Sequence, residues 1–282
     1  MPRPPRPAPS MFERYTCGRL RGMREAAGMT SSEVGVAVRV VGSTVARWEN
    51  GDRAVPYDKA EAMMRLYGTT GEAREQWHAE YERATEPGWW HEYRDVVPDW
   101  HALMLADESA ASMVRGYSTM VPALYQAPEY RRALIRRTRP GLDARTIDRH
   151  LGALAARQRL LTRDQPPDVW MVMPEEALTA LDPDLMRTQV DHLLALLELP
   201  HVALQIVPLR GLRPQLVPFH YLRFAPADWP DAVYLPALTC VTQLADPDQV
   251  TVYLSTLDAL SAGIAGARDT PDILRRIRAG AS

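Results

Sequence analysis

The chain is expected to be mainly α with a C-terminal α+β domain, and three observations predict this. Apolar residues recur at helical spacing through five short segments of the first 84 residues. Residues 29–51 join two of those segments across a tight turn. Strand-like runs come late and nearly consecutively, at 168–173, 202–208, 218–225, 232–236 and 239–244, which favours an α+β layer. The 282 residues are expected to divide into a disordered Pro-rich arm at 1–11, a helical domain at 12–84 and a second domain at 85–282.

The arm, MPRPPRPAPS, lacks the apolar stretch of a secretory signal, and a plain solvated tail accounts for Arg3 and Arg6. Residues 14–27 (RYTCGRLRGMREAA) form an amphipathic helix with Leu20, Met23 and Ala27 inward and Gly28 as its C-cap. Thr30 with Glu33 three residues on has capping-box spacing for a helix over 31–38, which sets Val34, Ala37 and Val38 on one face. A second short helix over 42–49 turns Val45 and Trp48 inward and Ser43, Thr44, Ala46 and Arg47 outward or sideways. Val41 offers no capping oxygen and Gly42 is a poor helix former, each worth about 1 kcal/mol, so this helix is expected to fray at its start. Asn50-Gly51 marks a turn, Pro56 opens a helix carrying Ala60, Met63, Met64 and Tyr67, and helical patterning runs on through 71–84. The aromatic group Trp89, Trp90, Tyr93 and Trp100 is expected to pack the two domains together.

Beyond it come a helix at 101–113, an extended piece at 113–120, and a long helix at 143–162 with Ile147, Leu151, Leu154 and Leu161 on one stripe. Helices at 184–197, 247–265 and 271–279 complete the pattern. Residues 1–66 hold eleven Arg or Lys against seven Asp or Glu, about +4, while the net charge of −2 leaves the remainder at about −6. Positive charge thus gathers at the end with the two short helices, where a polyanion would be met. No apolar run approaches 18 residues, so no membrane span is expected, and the widely separated Cys17 and Cys240 fit reduced cytoplasmic thiols.

Catalytic signals are thin. The seven histidines form no HExxH, and CxxC pairs, GxSxG, GxxxxGK[ST] and GxGxxG are absent, so no enzyme, metal or cofactor is expected. His91 and His220 have the chemistry of a general base, but a lone His among aromatics is more often structural. Tyr117, Tyr125, Arg157, Gln158, Trp170, His220, Tyr221, Arg223 and Tyr234 are polar or amphipathic positions in apolar segments. They suit a small-ligand or partner pocket, or equally core residues with satisfied polar tips.

MTSSEVGVAVRVVGSTVARWENG (29–51) resembles the XRE (Cro/phage-repressor-like) pattern LTQEELAxxLGVSxSTVSRIENG without a gap, at Met29, Thr30, Glu33, Val34, Val40, Ser43, Thr44, Val45, Arg47, Glu49, Asn50 and Gly51. The resemblance implies a five-helix, lambda-repressor-like helix-turn-helix domain that binds double-stranded DNA as a homodimer, often as a repressor. Ser43, Thr44 and Arg47 would meet base edges or nearby phosphates, and Ser31, Ser32 and Arg39 the phosphate backbone. The chain departs from the pattern at Arg39, Val41 and Gly42, where the family has Gly, Ser and a long polar residue.

The C-terminal text, WWHEY…DESAASMVRGYSTMVPALYQAPEYRRAL…RQRLLTRDQ…LPHVALQIVPL…VPFHYLRF, resembles a class of actinobacterial XRE regulators that includes the WhiJ-like developmental regulators. Ala123, Tyr125 and Ala127 depart from it, the class having Gly, Leu and Thr there. The resemblance implies a cytoplasmic transcriptional regulator whose second domain senses a small-molecule effector or a small partner protein encoded nearby, with no established cofactor. An antitoxin-like protein that sequesters such a partner, with DNA binding kept for autoregulation or lost, is the alternative.

Overall fold

The computed structural model describes residues 11–53, 55–85, 88–209, 216–225 and 229–280, and the chain forms two compact units, Met1–Gly88 and Trp89–Ser282. Arg3 and Arg6 of the Pro-rich arm lie outside the described residues.

The first unit is five helices: α1 (Met11–Ala26), α2 (Ser31–Val38), α3 (Gly42–Glu49), α4 (Tyr57–Leu66) and α5 (Gly71–Thr85). Their apolar stripes meet in one core of Cys17, Leu20, Val34, Val38, Val45, Trp48, Val55, Ala60, Met63, Met64 and Trp77. The Trp77 indole N–H is not wasted inside it, since it donates to the Thr16 carbonyl at 2.9 Å. Two expectations about facing residues need correction. Ala27 lies past the end of α1 and is exposed, because the chain turns at Gly28, whose φ of 68° ends the helix. Ala37 is exposed while Gly35 is buried, because α3 crosses α2 at Gly35.

The second unit begins with a 3-10 turn, Trp89–Tyr93, and continues through α6 (Asp99–Ala110), β1 (Ala111–Tyr117), α7 (Pro128–Thr138), α8 (Ala144–Gln158), β2 (Asp168–Pro174), α9 (Glu176–Thr179), α10 (Pro183–Leu196), β3 (Val202–Val207), β4 (Phe219–Phe224), β5 (Ala232–Pro236), β6 (Val241–Leu244), α11 (Pro247–Ala262) and α12 (Thr270–Ala279). The strands form one six-stranded sheet in the order β3-β2-β1-β4-β5-β6. β1, β2 and β3 run parallel, each crossover carrying helices, whereas β4, β5 and β6 pair antiparallel through short connections. Asp143, Asp182 and Asp246 cap α8, α10 and α11 by accepting from Thr146, Leu185 and Gln249 backbone N–H groups, at 2.7, 3.0 and 3.1 Å. In the last two, proline follows at the first helical position.

One sheet face, carrying Tyr117, Val172, Val207, Phe219, Tyr221 and Val233, packs against Val250 and Leu257 of α11. The aromatic segment expected at a domain junction is used inside this unit: Trp89, Trp90 and Tyr93 cluster with Val97, Leu105, Ala153 and Ala156. The Arg149 guanidinium covers the Tyr93 ring at 4.5 Å and pairs with Asp95 at 2.8 Å. Three helices are shorter than expected. Residues 111–113 belong to β1, α8 gives way to a 3-10 turn at Arg159–Leu161, and α11 stops at Ala262. No single helix among the described residues is long and apolar enough to cross a membrane.

Candidate nucleic-acid interface

α2, the turn and α3 are fixed by short-range chemistry. The Thr30 hydroxyl accepts from the Glu33 N–H at 3.2 Å and the Glu33 carboxylate accepts from the Thr30 N–H at 2.8 Å, a complete capping box. At the other end Arg39 takes a left-handed conformation, φ 61° and ψ 50°, where the resembling pattern has Gly. The next amide, Val40 N–H, donates to the Gly35 carbonyl at 2.8 Å, and the Lys59 ammonium donates to Val38 O at 2.9 Å. Val41 then caps α3 with no side-chain hydrogen bond, as its apolar side chain requires.

α3 starts at Gly42, as its spacing predicts. A Cβ at Gly42 would lie 2.9 Å from Ser32 Cα, and one at Gly35 would lie 2.8 Å from Val40 O and 2.9 Å from Gly42 N. The pair of glycines is what lets the two helices cross so closely. Behind α3, Glu49 is buried and accepts from the Arg24 Nε–H at 2.9 Å, while Arg24 also donates to Met29 O at 2.6 Å. That hydrogen bond to Glu49 holds the Arg24 guanidinium above its ordinary pKa, and it ties the end of α3 to α1.

The outer edge has the opposite character. Ser32, Arg39, Ser43 and Arg47 are exposed, and Ser31 and Thr44 are partly so. Arg39, Arg47 and Arg53 make no ion pair among the described residues, whereas Arg21, Arg24 and Arg65 are held by Glu25, Glu49 and Glu61 at 2.7–2.9 Å. Of the two acids on α2 and α3, Glu49 is buried and Glu33 is occupied by its cap, whose hydrogen bonds from Thr30 lower its pKa. Sequence reasoning gave no role to Val36 and Val41, yet they stand 81% and 66% exposed on this edge. The signal was available at Val41, an apolar residue in a capping position. Eight residues of α3 span about 12 Å, comparable to the width of a DNA major groove.

The polar candidates of the second unit fall in separate places. Tyr117 lies in the apolar layer under α11. The Tyr125 hydroxyl donates to the Ala203 carbonyl at 2.7 Å, and Trp170 donates to Gln205 at 2.9 Å beneath the Arg115 guanidinium. Tyr221 donates to Asp231, which also pairs with Arg223 at 3.0 Å. Arg157 pairs with Glu108 in the interior at 2.6 Å, His220 is partly buried, and Tyr234, opposite His220 in the β4–β5 register, donates to Asp107 next to Glu108. Gln158 donates to the Gln126 carbonyl at 2.8 Å. An open groove of about 580 Å³ lies elsewhere, lined by Leu181, Met186, Ile206, Ile273, Arg276 and Ile277 among others. Among the described residues no three His, Cys, Asp or Glu side chains are placed to hold a metal, and Cys17 and Cys240 form no disulfide.

Five helices around one core, with a short polar-edged helix held across a tight turn, define a helix-turn-helix protein, and residues 18–77 match the family described as Helix-turn-helix domain. Residues 101–276 match the Domain of unknown function (DUF5753), and the chain belongs to that family. No curated protein and no solved structure matches the chain. The helix-turn-helix domain points to a DNA-binding regulator.

Proposed function

We propose that this chain is a transcriptional regulator of the XRE type that binds double-stranded DNA as a homodimer, with α3 of each protomer in successive major grooves about 34 Å apart. Ser43, Thr44 and Arg47 meet base edges or adjacent phosphates, and Ser31, Ser32 and Arg39 meet the backbone. Val41 offers an apolar contact to a thymine methyl group at the tip of the helix. The carrying observation is the outer edge of α2 and α3, where Arg39 and Arg47 have no acid partner among the described residues while Glu33 is engaged in the capping box and Glu49 is buried. The second unit is the sensor: it binds a small effector or partner and biases DNA occupancy.

Selection of duplexes from a random pool by the full chain, followed by fluorescence anisotropy at several salt concentrations, tests the reading. Arg47→Ala is expected to weaken the selected site by about 1–3 kcal/mol and to relax preference at one base pair. If no sequence is enriched, or if Arg47→Ala binds as the parent does, the assignment of this edge to DNA is wrong.

A further inference from the structure

The second unit concentrates positive charge in one short stretch. Residues 131–149 hold seven arginines against two aspartates, whereas the other residues from Trp89 onward hold thirteen arginines against 21 acids. The stretch is therefore +5 in a surrounding of −8. It runs from α7 across the connecting turn into α8, and two contacts hold these parts together: Arg132 pairs with Asp148 at 3.1 Å, and Arg139 Nη1 lies 3.5 Å from His150 Nε2.

Three of the seven arginines are already committed to the fold. Arg132 is held by Asp148, Arg149 is held by Asp95 at 2.8 Å over the Tyr93 ring, and Arg131 is partly buried. Arg136, Arg137, Arg139 and Arg145 are exposed and make no ion pair among the described residues. Asp143, the other acid of the stretch, is spent on the cap of α8, where it accepts from the Thr146 N–H at 2.7 Å. Helix ends account for Arg136 and Arg137, which lie in the last turn of α7, where outward carbonyls favour a cation. Arg145 has the opposite setting. It lies in the first turn of α8, where the helix end is itself positive and no acid shares the turn.

A cluster of planar guanidinium forks suits phosphate oxygens, and duplex DNA presents one negative charge about every 1.7 Å. The chain carries a helix-turn-helix domain, and only residues 86–88 separate α5 from the Trp89–Tyr93 turn that opens the second unit. A tether that short holds the second unit at an effective concentration of about millimolar against any duplex the first unit binds.

We propose that the α7–α8 turn is a second DNA-contacting surface, at which Arg136, Arg137, Arg139 and Arg145 bind the phosphate backbone flanking the site read by α3. Contacts of this kind position the chain and carry no sequence information. The proposal rests on the reading of the first unit as DNA-binding, and its test separates the two.

The test measures the affinity of the full chain by fluorescence anisotropy over a series of sodium chloride concentrations, on two duplexes. One is the selected site alone, and the other is that site extended at each end by about ten base pairs of unrelated sequence, one helical turn. The parent is expected to bind the extended duplex more tightly and with the steeper salt dependence. Arg136→Gln, Arg137→Gln, Arg139→Gln and Arg145→Gln together are expected to remove that advantage and to lower the logarithmic slope by at most about 3.6 per protomer. They should weaken the selected and a scrambled extended duplex by equal factors. Arg268→Gln, Arg275→Gln, Arg276→Gln and Arg278→Gln together change the net charge as much at another exposed place and are expected to keep the advantage. Arg145→Gln alone guards against misfolding: it takes a cation from a positive helix end, so the melting temperature is expected to hold or rise while the slope falls by about 0.9. Equal slope and length advantage in the α7–α8 variant and the parent, or an equal loss in the α12 control, overturns the proposal. A length advantage that survives Arg47→Ala supports it independently of the α3 contacts, and a parent that binds no duplex sinks both readings.

Discussion

Replacing Gly42 with alanine sets two effects of opposite sign against each other. Helix propensity favours alanine over glycine by about 1 kcal/mol, and alanine also narrows the unfolded ensemble. Against this, the new Cβ would lie 2.9 Å from Ser32 Cα and 3.1 Å from Ser32 N, backbone atoms in the first turn of α2. Carbon atoms pack best at about 3.5–4.0 Å, so the helices would have to part by roughly 0.6 Å or more. Overpacking of this kind costs about 1–3 kcal/mol, and the net expectation is a loss of about 1 kcal/mol. Gly35→Ala meets three backbone atoms, at 2.8, 2.9 and 3.1 Å, and is expected to cost about 2 kcal/mol. Because both methyl groups enter one gap, the double variant is expected to lose less than the two singles together. Native-state hydrogen exchange at the Val40 and Thr44 amides reports the opening of this turn, since they bond to Gly35 O and Val41 O at 2.8 Å each. Slower exchange there in Gly42→Ala would refute the reasoning, because propensity would then outweigh the close approach.

Arg39→Gly relieves a left-handed residue of about 1–2 kcal/mol of strain and gives back part of it as unfolded-state entropy, so the first unit is expected to gain about 0.5–1 kcal/mol in denaturant unfolding. The same variant is expected to flatten the salt dependence of DNA binding by about 0.9 in logarithmic slope per protomer, and an unchanged slope would remove Arg39 from the phosphate contacts. Two desolvated, partly buried histidines set a pH dependence whose sign is fixed: with folded values of about 3 for His101 and about 4 for His220, the unfolded chain binds more protons below its own value near 6.5. Their contribution is thus fully present above about pH 6.5 and is lost progressively as pH falls toward 4 and below, by roughly a few kcal/mol. His220→Gln should flatten that limb in urea midpoints measured across the range, and a limb of equal steepness would show that His220 is not among its sources.

The first unit was legible because its decisive contacts are local. Thr30 and Glu33 are three residues apart, as are Val45 and Trp48, and α2 and α3 begin and end where spacing placed them. The packing role of Gly42 was not legible because propensity considers a residue against its own helix, whereas a Cβ there would meet Ser32, ten residues back on another one. Ala37 was misread for a related cause: a helical period gives a face, but the close crossing moved the buried position to Gly35. In the second unit the helix at 101–113 overran because apolar periodicity continues across Ala110 into β1, where the period changes without a turn residue to mark it.

The polar interior was less legible, since a list of polar residues in apolar segments does not say which are satisfied. The Tyr125 hydroxyl is satisfied by a carbonyl 78 residues away, Arg157 by an acid 49 residues away, and Tyr234 by one 127 residues away. Only the fold separates these from Arg131, whose Nε has no partner. Yet part of that distinction was written in the chain. In RRALIRR, residues 131–137, four arginines suggest a solvated basic face, but Arg131 lies four residues before the buried Ile135 and directly after the buried Tyr130, while Arg136 and Arg137 are exposed. A permanent cation in phase with an apolar stripe is asked to leave part of its water, and Arg131 answers by keeping some exposure while its Nε stays buried.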